Sequence, residues 1–479
     1  MALSSFIFLV FLAVCTAAHY LLPSRFRNFW LLICSVGFFV YAMPAEAVIM
    51  MVYVLVLYLL GMGLSRKKHG RALYLFGLLL SVGFLFVYKY TGFVYALFGA
   101  QRPFSLIVPI GISYVTFQGI AYLTEIHKGR LDPENNAVDF FLYALFFPKL
   151  TAGPIEPPKA FLAQLKGERR FSRQDAVQAS LRIAMGMIKK LVLADYLALG
   201  VNAVFDSSGA AGGWSVLIAA FMYTAQIYFD FSGYTDIARG AAQLLGIRLT
   251  ENFHQPYRAV SIRDFWSRWH ISLSAWLKDY IYIPLGGSRV GTFRRYLNLL
   301  ITFLVSGIWH GADLTFVVWG LLHGLFQIFG KLTEPLGRKL RKALSLRENS
   351  LLAVYFCRAR TFLLVTLGWV FFRAASLDSA VTMLSRLFTG WGSLSEALQL
   401  CGVTVPAVLL LVFAYAAVKL LGRELAAVSG RDGAPGRTGI SGRPGRLLTV
   451  LVLAAWAVVL MTLVIAARGG GSAFIYFDF

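Results

Sequence analysis

The sequence predicts an all-α polytopic membrane protein with about 11–13 transmembrane or re-entrant helices, on three observations. Of 479 positions, 58% are hydrophobic, 15% aromatic and only 14% charged, a composition that ordinary soluble domains do not carry. The apolar runs repeatedly reach the ~20 residues a helix needs to cross ~30 Å of hydrocarbon with its backbone bonded to itself. The basic residues collect between those runs, as the positive-inside rule expects of cytoplasmic loops.

In chain order the expected spans are 3–22, 28–43, 46–64, 72–98, 105–124, 176–200, 213–231, 296–309, 314–330, 351–373, 403–421 and 447–467. The shorter of these, and 138–154, suit re-entrant segments. The first run has no basic leader and no small-residue cleavage site, so it is expected to be a retained span. The formal charge of +22 lies in SRKKHGR (65–71), KGERRFSR (166–173), the 330–347 loop and Lys419 to Arg446. Topology explains that charge better than nucleic acid, and no nucleic-acid partner is expected. These loops are placed in the cytoplasm, 375–402 on the far side, and the C-terminus outside. The stretch 429–446, rich in glycine, proline and arginine, is expected to be a flexible cytoplasmic loop. Four cysteines show no CxxC or CxH spacing, so neither a disulfide framework nor a metal site is expected. No internal repeat is evident, which weighs against many transporter architectures.

Polar residues in or beside apolar runs mark where function is to be sought, because burying them without partners is costly. FPKLTAGPIEPPKAF (147–161) holds enough prolines to force irregular backbone at membrane level, or simply to make an exit loop. QIYFDFSGYTDIARG (226–240) embeds Asp230, Ser232, Asp236 and Arg239 among aromatics, with Asp236 and Arg239 at pair spacing. SIRDFWSRWHISLSAWLKDYIYIPLGG (261–287) spaces its apolar residues as one amphipathic helix lying along the membrane interface. That pattern puts His270 on the polar stripe, where spacing alone favours a structural role. In LVSGIWHGADLTFVVWGLLHG (304–324), His310 interrupts an apolar run, and a neutral imidazole there suits proton abstraction from a hydroxyl or thiol. A buried histidine bonded to a neighbouring helix is an equal alternative. Gly307 and Gly311 are expected to leave room for a ligand at the backbone. On one ideal helix His323 lies roughly 220° around from His310, so a two-histidine metal site is not expected.

PIGISYVTFQ (109–118), FPKLTAGPI (147–155), QIYFDFSGYTDIARGAAQLLGIRLTENFHQPY (226–257), DFWSRWHISLSAWLKDYIYIPLGGSR (264–289), GIWHGADLTFVVWGLLHG (307–324), WVFFRA (369–374) and the terminal FIYFDF follow one another in the chain. Together they resemble the membrane-bound O-acyltransferase (MBOAT) family, in the bacterial branch represented by the alginate O-acetylase membrane subunit. The resemblance implies a single integral-membrane domain over 1–479. Its helices would surround a central funnel or tunnel, with a catalytic region at 226–330 and an extracytoplasmic tail at 468–479.

The resemblance also implies roles. His310 matches the family's catalytic histidine, His270 a second histidine near the reaction centre, and His323 a recurrent HG position with a possible supporting part. Tyr476, tethered by Gly469 to Gly471, matches a terminal tyrosine that carries the acyl group; an aromatic interfacial anchor is the competing explanation. The implied activity moves acetyl from cytosolic acetyl-CoA, a substrate and not a resident cofactor, to an extracytoplasmic polysaccharide. An SGNH-hydrolase-like acetyltransferase outside a bacterial inner membrane would be the partner. Lys189, Lys190 and the arginines near 289–295 are the expected holders of the donor's phosphates, and nearby amides or His270 would stabilise the oxyanion. D-alanyl transfer to teichoic acid and a transporter or flippase are the alternatives; the latter would show counter-ion pairs along a pathway. Lys149 and Glu156 depart from the pattern and suggest unusual donor or partner contacts.

Overall fold

A computed structural model describes residues 2–64, 70–100, 106–207, 211–343 and 350–428. The chain runs through α1 (Phe6–Leu21), α2 (Arg27–Ala42), α3 (Pro44–Leu64) and α4 (Gly70–Leu85), which a π-helical turn joins to α5 (Thr91–Leu97). Next come α6 (Ile112–His127), α7 (Ala137–Leu145), α8 (Phe147–Leu150), α9 (Pro158–Lys166) and α10 (Arg173–Met187). A second π-helical turn joins α10 to α11 (Asp195–Phe205), and α12 (Gly213–Leu244) follows. After an irregular segment come α13 (Ile262–Trp266), α14 (Ile271–Leu277), α15 (Thr292–His310) and α16 (Leu314–Ala343). The described chain ends with α17 (Leu351–Arg373), α18 (Leu377–Thr389), α19 (Leu394–Leu400) and α20 (Val405–Val428).

Five segments are long and apolar enough to cross a membrane: Pro44–Leu64, Gly70–Leu97, Leu314–Lys339, Leu351–Arg373 and Val405–Ala426. The fold is all-α. Among the described residues the one β feature is a bridge between Phe253 and Trp269. Helix starts follow serine caps, in which a side-chain oxygen accepts one of the unpaired N–H groups of the first turn. Ser5, Ser172, Ser350, Ser376 and Ser393 all act this way. The 138–154 stretch does not run as one helix, because the chain turns extended at Phe146 (ψ 111°), two residues ahead of Pro148. The expected span at 447–467, the 429–446 loop and Tyr476 lie outside the described residues.

The described residues form two compact units, one of 2–193, 229–250 and 411–428, the other of 194–228 and 251–410; α12 contributes to both. In the first unit α3, α4 and α6 pack together, as do α2 and α7. Lys149, wholly buried, donates to Gln118 Oε1 (2.6 Å) and to the Tyr143 carbonyl (2.5 Å). Glu156 accepts from the Thr250 N–H (2.6 Å) and hydroxyl (2.9 Å). The two residues expected to make unusual donor or partner contacts are therefore internal ties of the irregular 147–157 segment.

Lys190 pairs with Asp230 at 2.7 Å, and Asp236 receives Lys189 at 2.6 Å and Arg182 at 3.4 Å. These pairs tie α12 to α10 and the π turn after it. Asp236, expected to face Arg239 on its own helix, is thus engaged across helices. Both lysines are committed to carboxylates, which removes them as the expected phosphate holders.

Candidate active site

The site builds up entirely within the second unit. The stretch expected to form one amphipathic helix over 261–287 does not. Ser261 caps α13 by accepting from the Asp264 N–H at 3.1 Å, and the helix stops at Trp266. His270 then takes a left-handed conformation (φ 45°, ψ 55°) immediately before α14, which costs a residue with a Cβ about 1–2 kcal/mol.

A clip from an earlier segment holds this conformation. The Asn252 carbonyl accepts from Ile271 N–H at 3.0 Å. Asn252 Oδ1 accepts from the Ser272 N–H at 3.1 Å and the Ser272 hydroxyl at 2.7 Å. The Arg268 carbonyl accepts from His254 N–H at 2.9 Å, beside the Phe253–Trp269 bridge. His270 is therefore wholly buried, not displayed on a polar stripe. The periodicity was misleading because contacts to 252–254 override local helix preference at 267–270.

The second part is the α15–α16 hairpin. α15 ends at His310, and Gly311 continues as extended chain (φ −158°, ψ 154°). Asp313 Oδ1 accepts the Thr315 N–H at 2.8 Å as α16 begins. His310 and His323 thus stand on separate helices, so the single-helix angle between them does not apply. A Cβ on Gly307 would lie 2.2 Å from the Phe316 carbonyl oxygen, and one on Gly320 would lie 2.4 Å from the Phe303 carbonyl oxygen. The two backbones touch there, as small residues allow in membrane helix pairs. A Cβ on Gly311 would lie 2.0 Å from the Phe316 ring. The space expected for a ligand at Gly307 and Gly311 is occupied by this hairpin's own packing.

Aromatic rings join the three histidines. The His310 ring meets Trp309, Trp319 and Phe372 at centroid distances of 4.9, 5.1 and 5.3 Å, the Trp319 contact perpendicular. Trp309 also faces His270 at 6.1 Å, and Trp319 faces His323 at 5.0 Å. The Trp266 indole N–H donates to His323 Nδ1 at 3.2 Å. A neutral His323 then carries its proton on Nε2, which points at Gly368, where a Cβ would intrude to 2.8 Å. Edge-to-face rings of this kind exclude water and fix imidazole orientation.

A cavity of about 1350 Å³ lies against this cluster, bounded by α13 to α17. Trp266 and Phe303, which flank His323, form part of its wall. So does Ser306, one turn before His310 on the same face of α15. Arg263, Lys278, Arg289, Arg295, Lys331 and Arg360 line it, against one carboxylate, Glu334. Among the described residues no group of three or more metal-ligating side chains occurs.

Sequence reasoning singled out the three histidines, and the structure gathers all of them. It missed Asn252, although the residue lies in the quoted LTENFHQPY, because its role depends on a partner 20 residues away. It also missed Trp319 and Phe372, which carried no signal beyond an apolar helix face.

The membrane-bound O-acyltransferase family profile matches residues 130–358. The chain is 36% identical over 440 residues to the probable alginate O-acetylase AlgI of Pseudomonas putida, covering 88% of this chain and 87% of the relative. It is 32% identical over 421 residues to the peptidoglycan O-acetyltransferase of Helicobacter pylori, covering 80% and 78%. With the teichoic acid D-alanyltransferase of Bacillus subtilis it shares 27% over 290 residues, covering 56% and 70%. The chain belongs to the membrane-bound O-acyltransferase family and is a multi-pass membrane O-acyltransferase.

Proposed function

We propose that this enzyme takes acetyl from acetyl-CoA at the cytoplasmic face of a bacterial inner membrane and delivers it for O-acetylation of an extracytoplasmic polysaccharide. The observation that carries the proposal is the basic cavity backing onto the buried histidine and tryptophan cluster. Its six cationic side chains suit the phosphates of a CoA thioester, and its wall at Trp266 and Ser306 leads to the rings around His310. The breadth of likeness to an alginate O-acetylase and a peptidoglycan O-acetyltransferase favours acetyl over D-alanyl, whose relative aligns over little more than half of this chain. Buried ion pairs of the kind a transporter would need do occur, at Lys189–Asp236 and Lys190–Asp230. Family membership favours acyl transfer over transport all the same.

In this reading His310 is the base. It removes the proton from the Tyr476 hydroxyl as that oxygen attacks the thioester carbonyl. The C–S bond breaks, and the thiolate of CoA leaves with the proton that His310 returns. The products are acetylated Tyr476 and free CoA. An SGNH-hydrolase-like transferase outside the membrane then moves acetyl from Tyr476 to the glycan.

Incubating the purified protein with isotopically labelled acetyl-CoA, followed by peptide mass spectrometry, tests this. Label is expected on Tyr476 and is lost in both His310→Ala and Tyr476→Phe. Label elsewhere, or label that survives His310→Ala, would refute the assignment.

A further inference from the structure

Two buried hydrogen-bond donors beside His310 have no acceptor among the described residues. Ser306, 1% exposed, has a hydroxyl with no hydrogen-bond partner among the described residues, and so does the indole N–H of Trp319, which is wholly buried. Buried donors are almost always paired, so an unpaired set calls for an explanation. Neither side chain takes the easy local route. Thr302, four residues before Ser306 on α15, does bond back to the Asn298 carbonyl at 2.7 Å.

Both donors sit next to a close approach of the two hairpin helices. Ser306 immediately precedes Gly307 and Trp319 immediately precedes Gly320, and a Cβ on Gly307 would stand 3.3 Å from the Gly320 Cα. His310 lies one turn beyond Ser306 on α15 and meets the Trp319 ring at 5.1 Å. Ser306 also borders the basic cavity. Ser306 and His310 thus share one face of α15 with the Trp319 ring against His310, Ser306 alone of the three reaching the cavity wall, and among the described residues neither the hydroxyl nor the indole N–H has an acceptor oxygen.

We propose that Ser306 Oγ and Trp319 Nε1 are the donors that receive the carbonyl oxygen of the acyl group beside His310. The inference rests on the acyl-transfer reading above. As the attacking oxygen adds to the thioester carbon, the carbonyl π pair moves onto its oxygen, and the two donors bond to that developing oxyanion. When the C–S bond breaks, the pair returns and the contact relaxes to that of a neutral carbonyl. Donors fixed in a water-poor site act most strongly at this stage because nothing has to reorganise. Among the described residues the same donors find no partner, and a buried donor without one costs stability. Function and stability thus pull in opposite directions at Ser306.

That opposition supplies the test. Acetyl-CoA turnover and thermal unfolding are measured on the full-length detergent-solubilised protein as wild type, Ser306→Ala, Ser306→Thr and Trp319→Phe. Ser306→Ala is expected to lose about 100-fold in kcat with little change in KM, while its unfolding midpoint stays level or rises. Ser306→Thr, which keeps the hydroxyl, recovers most of the rate, and Trp319→Phe falls as Ser306→Ala does. Full kcat in Ser306→Ala would overturn the assignment, and so would a rate loss that tracks a falling midpoint, the mark of a structural role. If Trp319→Phe does not fold, the Ser306 pair decides alone. A wild type that turns over no acetyl-CoA overturns the underlying acetyl-transfer reading before any variant is compared.

Discussion

Replacing Asn252 with alanine removes the side chain that holds His270 in its left-handed conformation. Asn252 Oδ1 accepts two bonds, from the Ser272 N–H at 3.1 Å and the Ser272 hydroxyl at 2.7 Å, and both residues are buried. Two donors left without an acceptor cost about 1–3 kcal/mol each. Part of that cost is offset, because Asn252 Nδ2 itself has no partner among the described residues and its removal recovers a similar amount for one group. The net destabilisation is therefore about 1–3 kcal/mol, with the main-chain bond from Ile271 to the Asn252 carbonyl remaining. Relaxation of the clip displaces His270, and a displacement on the order of 1 Å near the chemistry costs up to about 100-fold in rate. Urea or thermal unfolding of Asn252→Ala, Ser272→Ala and the double variant measures the first effect, with a coupling of about 1 kcal/mol expected between the two sites. Labelled acetyl-CoA turnover measures the second, with kcat down at least ~10-fold and KM little changed. Zero coupling together with unaltered kcat would show that the clip does not position His270.

Three further changes separate the roles of neighbouring groups. His270→Gly suits the left-handed backbone better than histidine does, so the variant is expected to fold at least as well while acyl transfer falls at least ~100-fold; unchanged turnover would make His270 a turn residue only. Arg289→Gln with Arg295→Gln is expected to raise KM for acetyl-CoA ~10-fold, flatten its salt dependence and leave kcat nearly constant; an unchanged KM in steady-state assays would place the donor elsewhere. Gly307→Ala puts a Cβ 2.2 Å from the Phe316 carbonyl oxygen, and thermal unfolding is expected to show a loss of about 1–3 kcal/mol.

Most of the helices were legible because their information is local. A run of apolar residues must satisfy its own backbone in hydrocarbon whatever surrounds it, so α1 to α4, α15, α17 and α20 lie close to the stretches the composition marks. His310 was legible for a similar reason, since an imidazole flanked by tryptophan and glycine in an apolar run is conspicuous without knowledge of its neighbours. The 261–287 segment failed for the opposite reason. Its apolar spacing is helical, yet Asn252, Phe253 and His254 pull residues 268–272 out of a continuous helix and turn His270 inward.

The sequence by itself determined the membrane class and the helical fold, because each follows from residue type and short-range pattern, and it drew attention to His310 by its setting and to His270 and His323 by the family resemblance. Only the tertiary structure decided what surrounds them. The glycines at 307, 311 and 320 receive a neighbouring helix and not a ligand, Lys189 and Lys190 answer to aspartates on α12, and Ser306 and Trp319 find no hydrogen-bond partner among the described residues. Each of these depends on which backbone approaches which over long sequence separations, and that geometry has no short-range signature in the chain.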